Sequence, residues 1–326
     1  MEILMGRRFQ PLVLFATLIA LTTLLAAQVR VEVRLVNVIA TVTDSHGRYI
    51  PNLTQDDFIL EEDGKAQQIS HFSQDRDVPV SVGVLLDTSG SMDRKIRTAV
   101  EAVDRFIRRI HQDDEIFLMT FSGQTVLRQD FTDDRDKLSQ ALRRIIATGG
   151  TALYDAMAEG ITKIGSSRHD KRAILLITDG QDTASASRLS EVLEGIRASD
   201  VLVYPIGISP LTYARGATRN AWGWPLPALL AGRSGVQRKR DEVDMNVLRS
   251  FSENSGGRAF LLAESFVGRG SQIEKILDVI ADELRSQYTL GYYPSRPDDG
   301  RYHSIRIRTK TGDAVRARRG YLARSS

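Results

Sequence analysis

The sequence predicts an α/β protein in which a doubly wound, mostly parallel sheet is carried between two stretches of β structure. Three observations predict it. Residues 80–86 form an apolar run of the kind buried on both faces of a parallel sheet, and the run stops at Asp87. Residues 173–178 repeat that arrangement and stop at Asp179. Over residues 78–286 further strand-like runs alternate with helical periodicity, as strand–helix crossovers require.

The flanks read differently. Val29, Val31, Val33 and Leu35 alternate with polar residues, after which Val36, Val38, Ala40 and Val42 continue on the other parity. A one-residue slip flips the buried face, so a bulge or strand break belongs near Leu35. Asp63-Gly64 reads as the turn of a hairpin joining residues 58–60 to 69–72. Beyond residue 287, strands are expected at 288–293, around His303, Ile305 and Ile307, and at 315–321. Arg306, Arg308 and Lys310 fit the solvated face of an edge strand. Neither flank can build a core by itself. Residues 28–77 and 287–326 are therefore expected to combine into one small all-β sandwich, with the α/β domain of residues 78–286 inserted between them.

Inside the inserted domain, Ile96, Ala99, Val100, Val103, Phe106, Ile107 and Ile110 mark one face of a helix. Residues 115–121 and 125–131 read as a strand and its hairpin partner. Leu138, Ala141, Leu142, Ile145 and Ile146 define a second helix, and Gly149-Gly150-Thr151 opens a third that carries Leu153, Met157, Ile161 and Ile164. Helices at 189–199, 245–253 and 273–284 and strands at 201–206 and 259–262 complete the alternation.

Of the 326 residues, 42% are hydrophobic and 26% charged, a globular balance, and the net charge of +3 is too mild to imply nucleic acid. Cysteine is absent, which excludes thiol nucleophiles, zinc thiolates and disulfides. Arg7 and Arg8 precede an uncharged stretch at residues 11–27 that ends in Leu25-Ala26-Ala27. Residues 1–27 read as a cleaved export signal, with an uncleaved membrane anchor as the alternative. The mature chain is then expected in the periplasm, the cell envelope or outside the cell, without an integral span if the signal is removed.

The chemistry gathers at the strand ends. Asp87, Ser89 and Ser91 follow the first buried strand, Asp179 ends the second, and Thr151 sits at a helix start behind two glycines. Carboxyl ends of parallel strands are where open α/β sheets bind ligands. All five side chains offer oxygen, which selects Mg²⁺, Mn²⁺ or Ca²⁺ over zinc or copper. Two carboxylates about 5 Å apart repel by ~3 kcal/mol at an effective dielectric of 20, so an adjacent cation explains how both stay ionised. Asp93, Asp155 and Asp182 flank this set as supporting or solvated groups, and the five histidines fit exposed or capping roles. No Gly-x-Ser-x-Gly elbow, Cys–His pair, His-Glu-x-x-His or phosphate-binding Gly-Lys-Ser/Thr loop is present, so the chain does not read as an enzyme.

Asp87-x-Ser89-x-Ser91, Thr151 in Gly-Gly-Thr-Ala-Leu and Asp179 in Ile-Thr-Asp-Gly resemble the metal-ion-dependent adhesion site of von Willebrand factor type A domains. The flanks, with Leu53-Thr-x-x-Asp-Phe58 before and Tyr288-x-Leu-Gly-Tyr-Tyr293 after, resemble a bacterial, exported subfamily of these domains. The resemblance implies direct ligation by Ser89, Ser91 and Thr151, with Asp87 and Asp179 acting largely through water. It also implies a bound Mg²⁺, with Mn²⁺ or Ca²⁺ as substitutes, whose coordination is completed by an Asp or Glu of a protein partner.

Residues 209–243 depart from a plain member. Arg215, Arg219, Arg233, Arg238, Lys239 and Arg240 stand there against Asp241 and Glu242, and both tryptophans of the chain, Trp222 and Trp224, lie among them. An insertion of that length at the carboxyl edge of the sheet is expected to be a surface loop. Trp222, Trp224, Arg215 and Arg219 are its candidate contacts to an acidic ligand. The function expected is a non-enzymatic, cation-dependent protein-binding or adhesion module. The alternatives are a membrane-anchored assembly subunit working with an ATPase, and an envelope component that the metal only stabilises.

Overall fold

A computed structural model describes residues 35–74, 78–143, 145–209, 243–262, 269–294 and 299–323. The export signal, the alternating valines before Leu35, and Arg215, Arg219, Trp222 and Trp224 lie outside the described residues. Residues 35–326 form one unit.

At its centre is a six-stranded sheet. Its strands are β5 (Val80–Asp87), β6 (Glu115–Phe121), β7 (Thr125–Thr132), β8 (Lys171–Thr178), β9 (Leu202–Ile208) and β10 (Phe260–Leu262). They lie in the order β10-β9-β8-β5-β6-β7, all parallel except for the antiparallel β7. Every residue of β5 is buried, as expected of a strand covered on both faces. Val82, Val84 and Leu86 face one apolar layer and Leu85 the other. Gly83 leaves room for the Phe117 ring, since a Cβ there would stand 2.4 Å from its Cζ.

The first layer is covered by α1 (Ile96–Arg109), α2 (Arg135–Ala141) and α6 (Arg269–Arg285). The opposite layer is covered by α3 (Leu153–Ile164), α4 (Leu189–Ala198) and α5 (Met245–Ser255). From β5 the chain moves outward to β6 and β7, then returns to β8 on the other side of β5. The strand order thus reverses between β5 and β8, which opens a crevice at their carboxyl ends.

Two four-stranded sheets take strands from both flanks. They contain β1 (Val36–Thr43), β2 (Phe58–Glu62), β3 (Lys65–Gln67) and β4 (Ile69–Ser73) from before the central sheet, with β11 (Tyr288–Tyr292), β12 (Tyr302–Thr309), β13 (Ala314–Ala317) and β14 (Gly320–Leu322) from after it. Their orders are β13-β1-β11-β4 and β14-β12-β2-β3. Leu60 and Ile307 of one sheet share a core with Val38, Tyr288 and Leu290 of the other, which makes them a sandwich. The sandwich is tied to the central domain through the fully buried Glu283 of α6. Its carboxylate accepts from Tyr204 Oη of β9 at 2.8 Å and pairs with Arg316 of β13 at 2.5 Å.

Four expectations are corrected. The helix expected over residues 138–146 ends at Ala141, and Ile146 is 77% exposed. The chain leaves the helix because Thr148 N–H must reach the carbonyl of Thr88, a 2.8 Å bond that pins it to the sheet edge. Asp63-Gly64 is a hairpin turn, with φ of 48° and 75°, but it joins β2 to the short β3, while β4 crosses to the other sheet and pairs with β11. Residues 315–321 are two strands that serve different sheets, divided at Arg318, which turns inward to donate to the carbonyls of Asn37 and Ser199. Arg306 and Arg308 do face solvent, but β12 lies between β14 and β2 and is no edge, and Arg308 pairs with Glu61 of the neighbouring strand.

Candidate metal centre

Asp87 ends β5 and Thr178 ends β8, and because Leu86 lies opposite Ile177 the two ends are neighbours. After Asp87 the chain takes a tight turn through Gly90–Met92 before α1 starts. Asp87 Oδ1 accepts from the Ser89 amide at 2.8 Å and Oδ2 from Thr178 Oγ1 at 2.6 Å. Asp87 and Ser89 are fully buried, while Ser91 is exposed and stands at the mouth. The Ser89 and Ser91 hydroxyl oxygens are 3.0 Å apart.

The segment holding Thr151 is fastened on both sides. Gly90 N–H donates to the Gly149 carbonyl at 3.0 Å, and Gly149 has φ of 84°, a left-handed conformation that a side chain would strain. On the far side Thr151 N–H donates to Thr183 Oγ1 at 2.9 Å, while its carbonyl accepts from the amides of Thr183 and Ala184 at 2.8 and 3.0 Å. Asp182 accepts from the Leu153 and Tyr154 amides at 2.8 and 3.3 Å, which covers the first turn of α3. Asp155 reaches back to the Ala186 and Ser187 amides. The turn after Asp87, the loop through Thr151 and the loop after Asp179 are thereby joined into one rim. Asp155 and Asp182 hold that rim together, and Asp93 is exposed.

Asp179 is fully buried, and its Oδ2 accepts from Lys95 Nζ at 3.1 Å. Lys95 is only 3% exposed. Lys95 and Thr178 are two residues of the site that sequence reasoning missed. A lysine in the turn before a helix reads as a solvated residue, and only the position of Asp179 directs its ammonium inward. Thr178 precedes Asp179 and could have been flagged as a hydroxyl at a strand end.

Burial pushes the Asp87 carboxyl up to about 6; the bonds from Ser89 and Thr178 oppose that rise, and the nearby charge of Asp179 adds to it. The donor set suits a hard cation. Two ligands at right angles on Mg²⁺, each about 2.1 Å from it, lie about 3.0 Å apart, the separation of the two serine oxygens. Among the described residues no three His, Cys, Asp or Glu side chains converge to hold a metal, so a cation here would rest on hydroxyls as much as on carboxylates. His303 is also not the exposed or capping histidine expected. It is 8% exposed and bonded to Asp63 at 2.8 Å and Asp299 at 3.0 Å, far from this rim in the sandwich.

Asp244, near the start of the next described segment, also lies beside the site: its N–H donates to the Asp179 carbonyl at 2.9 Å.

Residues 82–181 match the family model for the von Willebrand factor type A domain. A Synechocystis protein of uncharacterized function is 30% identical over 112 residues, 33% of this chain and 27% of its own length. The inter-alpha-trypsin inhibitor heavy chain H4 of Sus scrofa is 28% identical over 131 residues, 37% of this chain and 14% of its own. The matches span between 14% and 27% of the length of these curated relatives. Among solved structures, a von Willebrand factor type A protein from Catenulispora acidiphila aligns at a TM-score of 0.49 and 11% identity, covering 89% of this chain and 74% of that one. The corresponding domain of the type V pili tip protein Mfa5 from Porphyromonas gingivalis aligns at 0.46 and 12%, covering 63% and 94%. Residues 82–181, from the Asp87 strand through Asp179, are thus similar to a von Willebrand factor type A domain.

Proposed function

We propose that the chain is a non-enzymatic, divalent-cation-dependent protein-binding module of the cell envelope or exterior. Ser89, Ser91 and Thr151 hold a Mg²⁺ directly, with Mn²⁺ or Ca²⁺ as substitutes. Asp87 and Asp179 support it from behind, and an Asp or Glu of a protein partner supplies the remaining ligand. The cation provides a fixed positive charge to which a carboxylate can bind. The observation that supports this reading is the joined rim, on which the three segments that carry Asp87, Ser89, Ser91, Thr151 and Asp179 are hydrogen-bonded to one another beside the strand-order reversal between β5 and β8.

The protein's own residues supply the specificity. Ser91 is exposed while Asp87 and Ser89 are fully buried, so a partner meets the Ser91 hydroxyl and not the bare carboxylate. Trp222, Trp224, Arg215 and Arg219 belong to the insertion that precedes Asp244, and we assign them contacts with the acidic partner. Placement outside the cytoplasm rests on Arg7, Arg8 and the apolar stretch that follows; among the described residues no helix is long and apolar enough to cross a membrane.

Capture of envelope proteins by the immobilised chain, with Mg²⁺ or with EDTA, tests the reading. Partners retained in Mg²⁺ are expected to elute in EDTA and to be missed by Asp87→Ala. Retention indifferent to both would overturn it.

A further inference from the structure

The Lys95–Asp179 pair sets the charge of the site. Lys95 is 3% exposed and Asp179 not at all, and the ammonium lies 3.1 Å from Asp179 Oδ2. Water therefore screens this charge poorly. It is also held in place by the fold. Lys95 N–H donates to the Met92 carbonyl at 2.8 Å, and the Lys95 carbonyl accepts from Ala99 at 3.0 Å in the first turn of α1. The neighbouring charges Asp93 and Arg94 are exposed. Among the described residues, the buried charged groups of the rim are thus Asp87, Asp179 and Lys95.

We infer that Lys95 is a resident countercharge of this site, which neutralises Asp179 in the metal-free protein and opposes the divalent cation, so that the cation binds weakly until a partner's carboxylate arrives with it. The inference rests on the cation reading given above. Two carboxylates and one ammonium leave a single negative charge. A divalent cation turns that into a single positive charge, and one carboxylate from a partner brings the buried site to neutrality. Without Lys95 the cation alone would neutralise the two aspartates, and a partner's carboxylate would arrive at a site with nothing left to offset it. Lys95 thus trades affinity for the metal against affinity for a singly charged acidic ligand.

The test is Mn²⁺ binding by the full chain, followed by paramagnetic resonance, in the wild type, Lys95→Met and Lys95→Arg. Lys95→Met keeps the apolar stem and removes the charge, and is expected to bind Mn²⁺ at least about tenfold more tightly. Lys95→Arg keeps the charge and is expected to stay close to the wild type. The metal-free melting temperature should fall in Lys95→Met, and Mn²⁺ should raise it by more than it raises that of the wild type. If Lys95→Met is recovered folded only in the presence of Mn²⁺, that dependence is the expected result in its strongest form. Equal Mn²⁺ affinity in Lys95→Met and the wild type would overturn the inference and leave the cation site standing. Failure of all three proteins to bind Mn²⁺ would overturn both.

Discussion

At the scale of single residues, the site depends on groups that orient its carboxylates. Thr178 is fully buried and gives its hydroxyl proton to Asp87 Oδ2 at 2.6 Å. Thr178→Val keeps the shape and removes the donor, so it is expected to cost about 1–3 kcal/mol in denaturant unfolding, since a buried acceptor loses its partner. It should also weaken Mg²⁺ binding, because Asp87 is then free to turn. A second residue-scale prediction concerns pH. Burial disfavours the charged ring of His303, but Asp299 and Asp63 outweigh it and hold its pKa above 6.5. A histidine whose folded value is raised contributes stability that is fully present below its unfolded value and is lost as pH rises through the folded one. The wild type should therefore lose stability as the pH rises through and above 6.5, and His303→Gln should flatten that slope; an unchanged slope would contradict the assignment. The placement of Asp87, Ser89, Ser91 and Asp179 at the ends of two buried strands was legible in the sequence, because each apolar run stops there. Lys95 was not, since nothing local distinguishes an inward lysine from a solvated one.

At the scale of elements, the rim is a set of loops whose mutual bonds matter more than their lengths. Gly149 is the joint between the Asp87 turn and Thr151, with φ of 84° and its carbonyl taken by Gly90. Gly149→Ala is expected to cost about 1 kcal/mol or more through left-handed strain. By shifting Thr151 it should weaken cation binding by more than it weakens the fold; calorimetry beside thermal unfolding separates the two effects. The same loop explains where the helix reading failed. Ile145 and Ile146 continue a helical apolar pattern, yet the bond from Thr148 to Thr88 takes the chain out to the sheet edge, so tertiary structure overrides periodicity. The division of residues 315–321 into β13 and β14 has a similar cause, because Arg318 turns inward between the two sheets. The hairpin turn at Asp63-Gly64 was legible from its residue types, but its partner was not, because turn chemistry fixes a bend and not the strand that follows it.

At the scale of the whole molecule, the sandwich joins the two ends of the described chain around the central domain. Val36 lies opposite Tyr292 and Phe58 opposite Thr309, pairings that leave no local trace in the sequence and were anticipated only because neither flank could bury a core by itself. Glu283 binds the two parts, with Tyr204 on one side and Arg316 on the other. Glu283→Ala is expected to destabilise the chain by about 3 kcal/mol, the lower end for a broken buried pair because Arg316 keeps some contact with water. In calorimetry the wild type is expected to unfold in one transition and Glu283→Ala in two, since the domain and the sandwich lose their shared anchor. We propose that the rim at the β5 and β8 strand ends holds a divalent cation. Calorimetric titration of Mg²⁺ into the full chain, beside Asp87→Ala and the double variant Ser89→Ala with Ser91→Ala, tests it most directly. One saturable Mg²⁺ site is expected in the wild type and is expected to be lost in both variants; a wild type that binds no Mg²⁺, or variants that bind it equally well, would contradict the cation reading.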